Sequence, residues 1–210
     1  MAAQLGAALE TLDHLSRIGR LAQTDPLTGL ANRRALDEWL DLATVELREN
    51  DQPIGLVVCD LNGLKTINDQ QGHDAGDRAL VHFSQLLLKA QGSLQGSIVA
   101  RLGGDEFAIR IEDVGIVDTA IKVAHRVVED MKEPICVEGK ELFPSVSIGI
   151  AVSAPEYRLA EEMLRDADIA MYRAKASDTQ RFEIFNESLH LEAIRVLETE
   201  GDLHRALARH

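Results

Sequence analysis

Two short apolar runs, residues 98–102 (IVARL) and 107–111 (FAIRI), are separated only by Gly103, Gly104, Asp105 and Glu106. Ile98, Ala100 and Leu102 alternate along the first run, and Phe107, Ile109 and Ile111 along the second, so the pair reads as a β-hairpin with a tight glycine turn. A hairpin needs a sheet to complete it, and this one carries two adjacent carboxylates at its tip. Glycine lets the backbone turn sharply and lets a bulky anion come close. Two acids beside such a turn can hold a divalent cation, and the cation can hold phosphates. A solvated polar turn has the same local pattern, so the rest of the chain must decide between the two.

The flanking pattern alternates helix and strand. Residues 3–22 read as a helix with Leu5, Ala8, Leu12 and Leu15 at a/d spacing, too short a repeat to establish a coiled coil. Asp25-Pro26 ends it. Residues 32–49 form a helix with Leu36, Leu40, Ala43 and Leu47 on one face. Residues 54–59 (IGLVVC) are an unbroken apolar strand, as expected of a central strand covered on both faces, and Asp60 stands at its exit. Helices follow over 64–69 and 74–90, then the carboxylate hairpin and a helix over 116–131. A small hairpin spans 134–143, with a strand over 145–152, a helix over 159–176 and a last strand over 182–185. A C-terminal helix is expected from 188. This order gives an α/β sandwich, one mixed sheet of about five strands with helices on both faces.

The chain has 210 residues, enough for one domain with flanking helices. Its formal charge of −13 and the lack of a Lys/Arg stripe exclude a nucleic-acid polymer as partner. A small nucleotide is different, because metal ions and one or two lysines meet its charge locally. No apolar run is long enough to span a membrane and no signal-peptide pattern opens the chain, so a cytoplasmic location without membrane contact is expected. Cys59 and Cys136 are the two cysteines, and Cys59, in an apolar strand, reads as a buried reduced thiol.

Asp60 and Asp105, if their strands are neighbours, point at one place. Two carboxylates about 4 Å apart repel by roughly 1 kcal/mol in water and about 4 kcal/mol at an effective dielectric of 20. A cation between them reverses that sign. Oxygen donors without a His or Cys cluster favour Mg²⁺ or Mn²⁺ over zinc.

Four blocks carry a family resemblance: Asp25-Pro26-Leu27-Thr28-Gly29-Leu30-Ala31-Asn32-Arg33; Asp60-Leu61-Asn62-Gly63-Leu64-Lys65-Thr66-Ile67-Asn68-Asp69 with Gly72-His73 and Gly76-Asp77; Arg101-Leu102-Gly103-Gly104-Asp105-Glu106-Phe107; and Ala167-Asp168 with Met171-Tyr172-Arg173-Ala174-Lys175. In this order and spacing the chain resembles the GGDEF family, the diguanylate cyclases, over about residues 24–187. The resemblance implies a mainly antiparallel sheet similar to that of nucleotidyl cyclases and the polymerase palm. It implies condensation of two GTP into cyclic di-GMP, with two copies facing each other as a homodimer. It assigns metal ligation to Asp60, the Leu61 carbonyl and Asp105, and catalysis to Asp105, which also helps deprotonate the 3′-hydroxyl, with Glu106 in support. It assigns substrate contact to Gly63, Leu64, Lys65, Asn68, His73, Asp77, Gly103, Gly104 and Lys175. Asn68 and Asp77 match the guanine-reading positions, and a buried polar site of this kind rejects the wrong base by roughly 10⁴-fold.

Several positions depart from the family pattern. Asn62 replaces a common acid, and Gly63-Leu64 replaces a bulkier pair whose backbone amides cradle phosphate. Thr179 stands where an arginine usually grips phosphate, with Asp178 beside it and Arg181 two residues on. Leu94 and Ser97 occupy the places of the R-x-x-D pair through which product inhibits many relatives. Residues 195–207 (RVLETEGDLHRAL) resemble the lead-in to an EAL phosphodiesterase domain. The expected organisation is a linker or signalling helix over 1–23 joined to an upstream sensor, the GGDEF domain over 24–187, and a helix over 188–210 leading to an EAL domain. Two functions stay open: an active cyclase, and a GTP-binding regulatory module that controls an attached phosphodiesterase. A purely structural interaction domain leaves the co-occurring acids and glycines unexplained.

Overall fold

The computed structural model describes residues 23–50, 53–112, 115–137, 140–153, 157, 159–177 and 179–185. The helices expected over 3–22 and from 188 lie outside them, as does Asp178. The elements run β1 (Ala31–Asn32), α1 (Arg33–Asn50), β2 (Ile54–Asn62), α2 (Leu64–Gln71), α3 (His73–Gln91), β3 (Ile98–Gly103), β4 (Glu106–Glu112), α4 (Ile116–Asp130), β5 (Ile135–Val137), β6 (Lys140–Leu142), β7 (Ser145–Val152), α5 (Ala160–Ala176) and β8 (Phe182–Ile184).

One mixed, mainly antiparallel sheet has the order β1-β3-β4-β2-β7-β8. The inner pairs β3–β4, β4–β2 and β2–β7 are antiparallel, whereas the edge pairs β1–β3 and β7–β8 are parallel. The sixth strand, β1, is two residues long and has no alternation for a sequence pattern to register. The expected small hairpin, β5–β6, stands apart and packs Ile135 and Leu142 against Ile67, Ala75 and Ala79 of α2 and α3.

The unbroken apolar run does form the central strand, with every residue of β2 buried except Asn62. Val57, Cys59 and Leu61 face Leu80, Phe83 and Leu87 of α3 and Ile121, Ala124 and Val127 of α4. Leu56 and Val58 face Leu36 and Leu40 of α1 and Met163, Ala167 and Met171 of α5. The two alternating sets of the carboxylate hairpin divide in the same way: Phe107, Ile109 and Ile111 join the α3/α4 layer, Ala100 and Leu102 the α1/α5 layer. Phe83 meets Phe107 edge to face, with centroids 5.1 Å apart. Cys59 is a free, buried thiol, and desolvation, followed by the Asp60 charge, drives its pKa up. Among the described residues no helix is long and apolar enough to cross a membrane.

One boundary changes the reading of the site. The strand does not exit at Asp60 but continues to Asn62, because β7 supplies partners as far as Ser145. Asp60 is therefore a ladder residue, opposite Glu106 on one side and Ser147 on the other. The cap of α2 is Gly63, at φ 90°.

Helix α5 lies unusually close to the sheet. A Cβ on Gly149 would sit 2.0 Å from the Ala167 carbonyl oxygen and 2.3 Å from the Met171 nitrogen. Only a residue without a side chain lets α5 rest directly on β7, and that fixes where the far end of α5, with Lys175, arrives.

Candidate functional site

Alternation along β2 puts Asp60 and Asn62 on the α5 side of the sheet with Leu56 and Val58. Cross-strand pairing puts Glu106 and Ser147 on that same side, flanking Asp60. The tip of the β3–β4 hairpin is drawn onto β2 by a hydrogen bond from the Leu61 N–H to the Asp105 carbonyl at 3.0 Å. Asp60, Leu61, Asp105 and Glu106 thus meet at one end of the sheet. Asp60 is 6% exposed. Its Oδ1 accepts from Lys175 Nζ at 2.8 Å, and Lys175 itself stays half-exposed at the end of α5.

The hairpin tip is tied down on its other side as well. Gly103 and Gly104, at φ 147° and 55°, make the turn, which a side chain would strain. Arg101 donates to the Gly104 carbonyl through Nε at 3.1 Å and Nη2 at 2.8 Å, and through Nη1 to Asp25 Oδ1 at 3.1 Å. Asp25 Oδ1 also accepts from the Thr28 N–H at 2.8 Å and its hydroxyl at 2.7 Å. The first and third of the sequence blocks are thereby one mechanical unit.

Burial raises the Asp25 pKa, but the Thr28 bonds and the Arg101 guanidinium outweigh it, and the net value lies below the ordinary 3.8. A depressed carboxylate stabilises the fold above its unfolded value, and the gain is lost as pH falls through the folded one. Melting temperatures of the parent and Asp25→Asn, followed from about pH 6 to about pH 2, are expected to differ most near neutrality and converge in acid. A gap that stays constant over that range contradicts the assignment.

Around Glu106 the acids are crowded. Its pKa is raised first by burial, then by Asp168, Asp60 and Asp105, with Arg33 opposing. Burial raises Asp168 as well, again against Arg33. Glu106 and Asp168 line a groove of about 660 Å³ with Arg33, Met171, Tyr172 and Arg173. Such a set of hard oxygen donors, already repelling one another, suits a divalent cation. Among the described residues no three His, Cys, Asp or Glu side chains enclose an ion by themselves. A hard cation at so sparse a set of protein oxygens would complete its shell with water or ligand oxygens.

The remaining candidate residues lie on α2 and α3. Gly63, Leu64 and Lys65 form the start of α2, with Lys65 exposed. His73 opens α3 and is exposed. Asn68 is half-buried against Gly76, where a Cβ would lie 2.0 Å from its Oδ1, and that oxygen has no hydrogen-bond partner among the described residues. Asp77 is exposed on the wall of a hollow of about 340 Å³, shared with Leu27, Arg78, His82, Ile135 and Cys136. Thr179 donates its N–H to Ser177 Oγ at 3.4 Å, and Arg181 is exposed.

Three participants received no role at the site in the sequence reading. Asp168 lies seven residues before Lys175, hence on the same face of α5, a spacing that helical periodicity could have exposed. Ser147 is a hydroxyl 1% exposed between the apolar Val146 and Ile148, and that incongruity was the signal. Asn62 drew attention as a departure, but its partner 85 residues away was invisible.

Residues 22–181 match the family described as diguanylate cyclase, GGDEF domain. The chain is 35% identical over 190 residues to the bifunctional diguanylate cyclase/cyclic di-GMP phosphodiesterase MucR of Pseudomonas aeruginosa, covering 90% of this chain and 27% of that protein. It is 32% identical over 198 residues to the diguanylate cyclase TpbB of the same organism, covering 92% and 43%. It therefore spans less than half the length of either. Among solved structures, the coiled coil and GGDEF domain of DgcB from Caulobacter crescentus, in complex with c-di-GMP, superposes with a TM-score of 0.75 at 29% identity, covering 87% of this chain and 96% of that one. With that family match covering most of its length, the chain belongs to the GGDEF, diguanylate cyclase, family.

Proposed function

We propose that the protein is a diguanylate cyclase that condenses two GTP into cyclic di-GMP and two pyrophosphates. The observation that carries this reading is the convergence of Asp60, from strand β2, and Asp105, from the β3–β4 turn, at one end of the sheet beside Leu61 and Glu106. Each 3′-hydroxyl attacks the α-phosphate of the other nucleotide. One O–P bond forms, the bond to the β-phosphate bridge breaks, and pyrophosphate leaves. One site holds one GTP, so two copies of the domain face each other.

Asp60, the Leu61 carbonyl and Asp105 hold Mg²⁺ or Mn²⁺, which when bound stabilises the phosphoryl charge as a Lewis acid. Asp105 takes the hydroxyl proton, and Glu106 supports it. Gly63, Leu64, Lys65, Gly103, Gly104 and Lys175 meet the phosphates. Asn68 and Asp77 read the guanine edge, and His73 contacts the ribose. The unpaired Asn68 oxygen supports this role: a buried acceptor without a partner costs about 1–3 kcal/mol, which an incoming donor recovers. The hollow beside Asp77 falls within the usual size range of ligand pockets.

The domain occupies residues 24–187 in this reading, with connecting segments at 1–23 and 188–210. The bifunctional name of one relative supports a downstream EAL partner, and an upstream sensor completes the scheme. All of this is set in the cytoplasm. Thr179 in the place of a phosphate-gripping arginine favours a second reading, a GTP-binding module that regulates an attached phosphodiesterase. Incubation with GTP and Mg²⁺ or Mn²⁺ at high protein concentration, followed by mass spectrometry, separates them. Cyclic di-GMP supports the cyclase; bound GTP without product, even in a forced dimer, supports the regulatory module.

Leu94 and Ser97 form an inward-bonded turn in which Gln91 Nε2 donates to the Ser97 carbonyl at 2.8 Å and to its hydroxyl at 2.7 Å, and neither residue carries charge. Initial rates across a cyclic di-GMP dose series are expected to show no tight noncompetitive inhibition through this turn. Strong inhibition that persists at saturating GTP contradicts this.

A further inference from the structure

Asp60 receives two donors, not one. The Asn62 amide lies between Asp60 and Ser147, and one orientation satisfies all three groups. In it the amide nitrogen donates to Asp60 Oδ1 at 3.0 Å, while the amide oxygen accepts from Ser147 Oγ at 2.9 Å and from the Ser147 N–H at 3.3 Å. The opposite orientation turns the amide oxygen toward the carboxylate, acceptor against acceptor. Lys175 occupies the same oxygen from above at 2.8 Å. Oδ1 is therefore held from two sides, and Oδ2 is the oxygen left to a ligand.

Register and burial explain why the arrangement is stiff. Ser147 stands directly opposite Asp60 in the β2–β7 ladder, and Asn62 is two residues along on the same side. A hydroxyl buried to 1% exposure in the run SVSIGIAV adds nothing to apolar packing and costs free energy unless it is bonded. Here it is bonded to an amide whose other end reaches the carboxylate. Asn62 also removes a charge: an acid there would put a third negative group beside Asp60 and Glu106, whereas an amide brings a donor.

We infer that Asn62, braced by Ser147, is a positioning residue that fixes the Asp60 carboxylate for its cation. This rests on the metal-site reading above. Groups that orient a metal ligand from behind are commonly worth ten- to a hundredfold in metal affinity. The pair is neutral, so it orients Asp60 without competing for the ion, unlike Lys175, which supplies charge.

The test titrates Mn²⁺ into the nucleotide-free chain and reads the bound ion by electron paramagnetic resonance. Parent, Asp60→Asn, Asn62→Ala and Ser147→Ala are compared, with near-ultraviolet circular dichroism to check the fold. Binding by the parent that is lost in Asp60→Asn upholds the metal site. Folded Asn62→Ala is then expected to bind about tenfold more weakly, and Ser147→Ala about threefold. Parent-like affinity in folded Asn62→Ala overturns the positioning role while leaving the metal site standing. If Asn62→Ala does not fold, Ser147→Ala decides by the same criterion, and loss of fold in both makes the pair structural and overturns the proposal. A parent that binds no Mn²⁺ overturns both.

Discussion

Asp60→Asn is expected to abolish cyclic di-GMP formation while leaving the fold intact. The carboxamide has the same shape, and its oxygen still accepts from Lys175 and Asn62. What it loses is a formal charge toward a cation. If that charge is worth about 4 kcal/mol in the transition state, the rate falls about a thousandfold. Asp105→Asn is expected to fall at least as far, because the hydroxyl also loses its proton acceptor. Mass spectrometry of GTP incubations measures both. Stability moves little, because the acids repel: neutralising Asp60 relieves Glu106, whose carboxyl is pushed up partly by it. A melting temperature at or slightly above that of the parent is expected at neutral pH. Either variant retaining more than about a tenth of the parent rate, a loss below about 1.4 kcal/mol, would refute the assigned roles.

The second large effect lies outside the chemistry. Gly149→Ala adds one methyl group, and that methyl meets main-chain atoms of α5, the Ala167 carbonyl and the Met171 nitrogen, closer than atoms can stand. Main chain cannot rotate away as a side-chain tip does, so α5 must lift off β7. Overpacking of this kind costs about 1–3 kcal/mol and occasionally more, and the upper end applies where the helix backbone itself has to move. For a domain of this size about 3 kcal/mol lowers the melting temperature by roughly 6–12 °C. Activity is expected to fail first, because Lys175, which the proposed function assigns to the phosphates, rides on the displaced helix. Calorimetry with an assay well below the melting transition separates the two effects, and a variant with parent-like stability and rate contradicts the close packing of α5.

The hairpin and the central strand were legible from the chain because each carries its own pattern: alternation about two glycines in one, an unbroken apolar run in the other. The meeting of Asp60 with Asp105 was legible only as a condition, that the two strands be neighbours. Element ends were less readable. Asn62-Gly63 looks like the start of a turn, and only partners as far as Ser145 carry β2 past Cys59. Likewise the odd hydroxyl of Ser147 in an apolar run, and the helical spacing of Asp168 to Lys175, mark these residues out without saying what they meet. Both acquire meaning from residues on other elements, through a ladder and a helix packing that pattern along one chain does not encode. Lys175 was expected at a phosphate and lies instead on Asp60.

The two-sided burial of β2 has a consequence for how this gene can vary. Both flanks of the strand are oily, yet sliding it by one position is not neutral: a bulkier residue would replace Gly55, where even a Cβ would lie 2.9 Å from Ile116, and the Asp60 carboxylate would turn into the greasy layer of Leu80 and Phe83. A single-codon insertion or deletion within 54–62 should thus cost the chain its fold as well as its chemistry. Length variation that preserves function belongs instead in connections such as 92–97.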